Sequence, residues 1–173
     1  AIFLQSRHHG AGSCITSLIQ GSRSLLVELQ ALVTRSRLAY PKRATAGFDL
    51  NRLQVLLAVL AERASVMSNY SDVYINLAGG LKAREPALDL AVCAAVASAS
   101  YKKILPSDVV VFGEVGLGGE VRPVVGAERR LQEAARLGFK YALTAPLPDS
   151  KLPKNMELIS VKNLQEAVEW IKH

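Results

Sequence analysis

Four cations crowd nine residues of this chain: Arg35, Arg37, Lys42 and Arg43. Guanidinium and ammonium groups at that density suit the phosphates of an anionic partner, nucleic acid foremost. Only Tyr40 stands near them as an aromatic. That favours contact with a duplex backbone over stacking of single-stranded bases. A solubilising surface fits the same composition. The excess is regional: residues 1–48 carry Arg7, Arg23 and these four against the single acid Glu28, in a chain of net charge +6.

A second chemistry to weigh is serine–lysine hydrolysis, which needs a hydroxyl within reach of a neutral amine. Ser98 and Ser100 precede Lys102 and Lys103 closely. They fall at a predicted helix end, where the helix dipole opposes an oxyanion and favours the lysines. The glycines of G-E-V-G-L-G-G-E (113–120) form neither a G-x-x-x-x-G-K-[ST] nor a G-x-G-x-x-G pattern. They predict a tight hairpin rather than a phosphate cradle, and so no ATP site in this chain. Cys14 and Cys93 lack metal spacing, and Cys93 in L-A-V-C-A-A-V-A reads as a buried, inert thiol. His8, His9 and His173 lie at the chain's ends, so no metal site is expected.

The elements that must position these residues follow from periodicity and turn chemistry. Residues 13–33 predict two strands joined by Q-G-S-R, the second apolar mainly on the face of Leu25, Val27, Leu29 and Ala31. A basic loop follows, through T-R-S-R-L-A-Y-P-K-R-A-T-A-G. Asp49 caps a helix from Leu50 to about Ala64, with Leu53, Leu56, Leu57 and Leu60 inward. A strand at 72–78 ends at Gly79-Gly80. Pro86 opens a helix to about Ser100, so apolar that it must be packed on several sides. Short strands at 109–112 and 119–122, a helix at 127–137, strands at 140–144 and 157–161, and a helix at 163–172 carrying Trp170 complete the chain. The class is α+β or irregular α/β. No apolar run reaches the ~18 residues of a membrane span.

The helix opening E-P-A-L-D (85–89), the glycine segment and G-A-E-R-R (126–130) resemble the proteolytic domain of Lon-type proteases. By that resemblance the nucleophilic serine falls on Ala87 and the general-base lysine on Glu128, which implies a protease fold that does not cut. The runs G-S-R-S-L-L-V-E-L-Q-A-L-V, G-F-D-L-N-R-L, E-P-A-L-D-L-A, G-E-V-G-L-G-G-E-V-R-P-V and R-L-Q-E-A-A-R-L-G-F-K are closer still. They are similar to the C-terminal domain of the RadA (Sms) family of bacterial DNA repair proteins. The similarity runs from about Phe3 to the end.

The resemblance implies an α+β fold of the Lon proteolytic-domain type, shared with a domain of a small-subunit ribosomal protein. Residues 1–12 would end a linker from an ATPase domain, and 13–173 would form the Lon-like domain. The missing initiator Met fits a piece of a longer chain. The parent would hold a four-cysteine zinc module and a RecA-like core using ATP and Mg. It would form hexameric rings that drive branch migration of DNA, beside a RecA-type recombinase, in the bacterial cytoplasm at the nucleoid. Within this domain, Arg84, Arg122, Arg129 and Arg130 would extend the DNA-binding patch of Arg35, Arg37, Lys42 and Arg43. Glu128 or Asp89 would pair with an arginine, of a ring neighbour or of the chain itself. Two alternatives stand beside this: an active Lon-type peptidase, and the Lon-like domain of magnesium-chelatase-like helicases. The run G-F-D-L-N-R-L argues for the RadA family over the latter.

Overall fold

Residues 10–173 are described by the computed structural model. The linker assignment of 1–12 therefore falls mostly outside the described residues, as do His8, His9 and the Phe3-Leu4 end of the family resemblance. Strands β1 (Ser13–Gln20) and β2 (Arg23–Arg35) form a hairpin in register Gln20↔Arg23 to Ser13↔Gln30. Its two-residue turn needs Gly21 at φ 60°, a left-handed conformation that glycine adopts without steric cost. Next come β3 (Arg43–Ala46), α1 (Leu50–Ala64) and β4 (Ser71–Leu77). Asp49 caps α1 as expected, its carboxylate accepting from the Arg52 N–H. A 3-10 turn at Pro86–Leu88 leads into α2 (Asp89–Tyr101), and β5 (Val109–Val111) follows. The hairpin β6 (Glu114–Val115) and β7 (Val121–Arg122) precedes α3 (Ala127–Arg136). The chain closes with β8 (Tyr141–Thr144), β9 (Glu157–Ser160) and α4 (Leu164–Lys172).

Seven strands make one sheet in the order β3-β4-β2-β1-β5-β8-β9. The contacts β3–β4, β1–β5, β5–β8 and β8–β9 are parallel, while β1–β2 and β2–β4 are antiparallel. The described residues are thus a single α/β unit with a mostly parallel central sheet, compatible with the α+β expectation.

Two apolar layers sandwich that sheet. On one face, Val27, Leu29 and Ala31 of β2 and Val73, Ile75 and Leu77 of β4 pack with α1, α2 and α4. Every residue from Leu90 to Ala97 of α2 is buried, which explains why that helix has no polar side. Trp170 of α4 packs against this core, half-buried. On the other face, Ile15, Leu26, Val110, Phe112 and Ala142 meet Leu131 and Ala134 of α3.

Two features differ from the sequence reading. Leu26 and Glu28 are buried, so β2 is covered on both faces along its first half, because α3 lies over the side expected to be open. Part of the basic loop is also strand β3. Four residues with an arginine and no apolar alternation carry no strand signal of their own. Pairing with β4, from Arg43↔Val73 to Ala46↔Asn76, satisfies their backbone instead.

Candidate nucleic-acid interface and helix-start cleft

The start of α2 is locked in place by two carboxylates. Asp89, 1% exposed, accepts from Arg52 Nε at 3.0 Å and Arg52 Nη2 at 2.5 Å, and from the Val115 N–H at 3.1 Å. The same guanidinium donates to the Val115 carbonyl at 2.8 Å. Its pKa is raised, first by the hydrogen bond to Asp89. Glu85 accepts from the Ile19 N–H at 3.0 Å and pairs with Arg130 Nη2 at 2.6 Å. Arg130 is itself 3% exposed. It donates further to the carbonyls of Ser17 at 2.5 Å and Val125 at 3.2 Å, and its guanidinium carbon lies 5.9 Å from the centre of the Phe112 ring. Four elements, α1, β1, β6 and α3, are therefore tied to the start of α2 beside residue 87.

Ala87 is buried, its carbonyl accepting from the Gly113 N–H at 2.9 Å. A β-carbon on Gly113 would come within 3.0 Å of Val121 and 3.2 Å of Leu90, so a larger residue would press those side chains aside. In front of this junction lies a cleft of about 430 Å³, lined by Phe48, Arg52, Arg84, Glu85, Asp89 and Glu114 among others. Glu128 stands at the surface and pairs with Lys151 at 2.9 Å. Both acids proposed for pairing, Asp89 and Glu128, are thus satisfied within the chain. Cys93 is buried, and burial pushes its thiol pKa up, as an inert thiol requires.

The glycine segment forms the expected hairpin between β6 and β7. Its turn is closed by its own acid: Glu120 accepts from the Gly118 N–H at 3.0 Å and from Arg122 at 2.7 Å. Among the described residues, no group of three or more His, Cys, Asp or Glu side chains is arranged to hold a metal ion.

The eight basic candidates do not form one patch. Arg35, Arg37 and Lys42 are exposed at the far end of β2. Lys42 Nζ hovers 6.0 Å above the Tyr74 ring, and its backbone N–H donates to Asp72 at 2.7 Å. Arg43 is turned inward, donating to the carbonyls of Ser68 at 2.9 Å and of Ser71. Burial lowers its pKa. Arg84 and Arg122 are exposed near the cleft. Arg129 is exposed and donates to the Ser22 carbonyl at 3.1 Å, beside the β1–β2 turn. Arg130 is internal, as described. The distance from Arg23 to Arg35 along β2 is twelve strand steps, or about 40 Å.

Two tyrosines missed in the sequence join the far cluster. Tyr70 is 82% exposed and accepts from the Ser36 N–H through its carbonyl at 2.8 Å, and Tyr74 lies under Lys42. They sit some thirty residues downstream of the loop. The pairing of β4 with both β2 and β3 brings them together.

A mixed sheet with α3 on one face and three helices on the other, and a buried helix starting at a cleft, define the class. Residues 51–146 match the family described as subunit ChlI of Mg-chelatase, and the chain belongs to that family. Its particular relatives are DNA repair proteins RadA. It is 47% identical to that of Chlamydia pneumoniae over 96% of this chain, 45% identical to that of Pseudomonas aeruginosa over 98%, and 43% identical to that of Aquifex aeolicus over 98%. The chain spans about 38% of the length of each. The RadA-type resemblance carried by the motifs is thereby shown along almost the whole chain.

Proposed function

We propose that this chain is a non-proteolytic, Lon-protease-like domain of a bacterial DNA repair protein, which contacts duplex DNA and helps to hold a ring of copies. The relatives named for DNA repair support the general assignment. The absence of proteolysis rests on the residues themselves. Position 87 offers a buried methyl group, and position 128 offers a carboxylate already paired with Lys151. In this reading the rest of a longer protein supplies the zinc module and the ATP- and Mg-dependent core. It acts on recombination intermediates beside a RecA-type recombinase, in the bacterial cytoplasm. Among the described residues, no helix is long and apolar enough to cross a membrane.

One observation carries the DNA contact. Arg35, Arg37 and Lys42 stand exposed at one end of the sheet, beside the exposed rings of Tyr40 and Tyr70. Among the described residues, Arg35 and Arg37 take part in no salt bridge. They are cations free to release counterions from a phosphate backbone. Arg129 would add a contact at the opposite end, and Arg84 and Arg122 beside the cleft. Arg43 and Arg130 would act indirectly, by holding β3 and α3 in place.

The test is a duplex-binding titration across a salt series, with the chain beside an Arg35→Ala/Arg37→Ala/Lys42→Ala variant. The expected result is affinity that falls steeply with salt, with a slope reduced by about 3 in the variant. Absence of binding at low salt with tens of micromolar protein would remove the DNA contact and leave the ring role alone. A ring interface that is largely apolar keeps its stability in salt, so sedimentation at low and high salt separates the two roles.

A further inference from the structure

Between the β1–β2 turn and the outer side of α3 runs a groove of about 500 Å³ that the sequence did not single out. Its walls include Ser22, Arg23 and Ser24 from the hairpin and Arg129, Glu133 and Arg136 from the helix. Residues 129, 133 and 136 fall four and three apart, so one helical face carries them while Leu131 and Ala134 face the sheet. Three arginines face one carboxylate. Arg129 is held towards the hairpin by the Ser22 carbonyl at 3.1 Å. Arg136 is not free: it grips Glu133 through two bonds, Nε at 3.0 Å and Nη2 at 2.5 Å. Arg23 also lies near enough to Glu133 to act on its charge.

We infer that this groove is a phosphodiester-binding site for duplex DNA, with Arg23, Arg129 and Arg136 as its contacts and Glu133 as a built-in competitor. A guanidinium fork suits bidentate contact with phosphate oxygens as it suits a carboxylate. The Arg136–Glu133 pair shows that geometry already made with an internal anion. Arg136 is mostly exposed, and a surface pair of this kind is weak enough for a phosphate to displace. Glu133 holds its proton weakly, its pKa lowered first by Arg136, so it stays charged and competes at neutral pH. Concavity separates this feature from scattered surface charge: two elements converge their cations on one space, and Ser22 and Ser24 line its hairpin wall.

This inference rests on the reading of the chain as a DNA-contacting domain, and the experiment keeps the two apart. A fluorescein-labelled 20-base-pair duplex is titrated with the chain, with Glu133→Gln, and with Arg23→Ala/Arg136→Ala. Orthophosphate, matched in ionic strength against chloride, is the competitor. Thermal melting checks that these surface variants fold. The expected result is binding about three-fold tighter for Glu133→Gln. The double variant should bind about ten-fold more weakly, with a salt slope lower by about 2, and orthophosphate should compete no better than chloride. Salt-dependent duplex binding that neither variant alters would overturn the groove and leave the DNA reading standing. Displacement of the duplex by millimolar orthophosphate beyond the ionic-strength effect would make this a small-phosphate site and overturn the assignment to DNA. No duplex binding by the unmodified chain would remove the DNA reading and the groove's role with it.

Discussion

Asp89 is almost wholly buried, and its charge is tolerable only because Arg52 and the Val115 N–H surround it. Removing Arg52 leaves a carboxylate in the core with one remaining donor, whereas removing both partners leaves no orphaned charge. Arg52→Ala is therefore expected to cost about 3 kcal/mol in denaturant unfolding, the low end for a buried pair because the arginine side chain is 34% exposed. The Arg52→Ala/Asp89→Ala chain should lose less than the sum of the single variants. Asp72 gives a pH dependence. The N–H of Lys42 first, and the Ser36 hydroxyl next, hold its pKa below the ordinary 3.8. A carboxylate depressed in the folded state stabilises at pH above its unfolded value, and that contribution is lost as pH falls through the lower folded value. Asp72→Asn should thus lower the melting temperature at pH 7, and the gap should close as the pH drops below 3.8.

At the level of elements, the sheet is fastened to α2 at both ends of that helix. Glu85 and Asp89 hold its start. At its far end, Ser98 accepts from the Gly12 N–H at 2.9 Å and donates to the Lys103 carbonyl at 2.5 Å. Gly12 sits at φ 93°, and a β-carbon there would come within 2.2 Å of the Ala31 carbonyl oxygen. Gly12→Ala is expected to destabilise by about 3 kcal/mol, because both the backbone angle and the β1–β2 edge must give way. Gly21 has nothing within 4 Å, so Gly21→Ala pays only for its left-handed angle, about 1 kcal/mol. Chemical denaturation of the two variants reads the difference directly. The unforeseen β3 belongs at this scale too: Arg43 anchors it by donating to Ser68 and Ser71, a structural role that a run of basic residues conceals.

Across the whole molecule, Arg23 and the cluster of Arg35, Arg37 and Lys42 lie at the two ends of β2, about 40 Å apart, the length of roughly 12 base pairs. The sheet face between them is covered by α3 only near the hairpin. Further along it, Leu32, 59% exposed, pairs with Tyr74 beneath Lys42. A duplex lying along this face would meet the groove at one end and Lys42, above Tyr74, at the other. Affinity should therefore rise as the duplex lengthens from about 8 to about 16 base pairs and then level off, measured with labelled duplexes at fixed salt.

Elements whose information is local were legible in the sequence. Asp49 before a leucine stripe, Pro86 before an apolar run, and Gly21 in a two-residue turn each specify backbone geometry through their own chemistry, and all three elements stand where expected. The family resemblance was legible for the same reason, being carried by contiguous motifs. The site was not. Arg43 and Arg130 look identical in sequence to Arg35 and Arg129, yet the first two are turned inward onto carbonyls or a carboxylate, while Arg35 and Arg129 stand exposed, Arg129 with one bond to the Ser22 carbonyl. Neighbours far along the chain decide that difference: Ser68 for Arg43, Ser17 and Glu85 for Arg130, Ser22 for Arg129. A charge pattern fixes how many cations a segment holds. Whether a cation meets solvent or a buried partner depends on which strands pair and which helix covers them, and only the tertiary structure decides that.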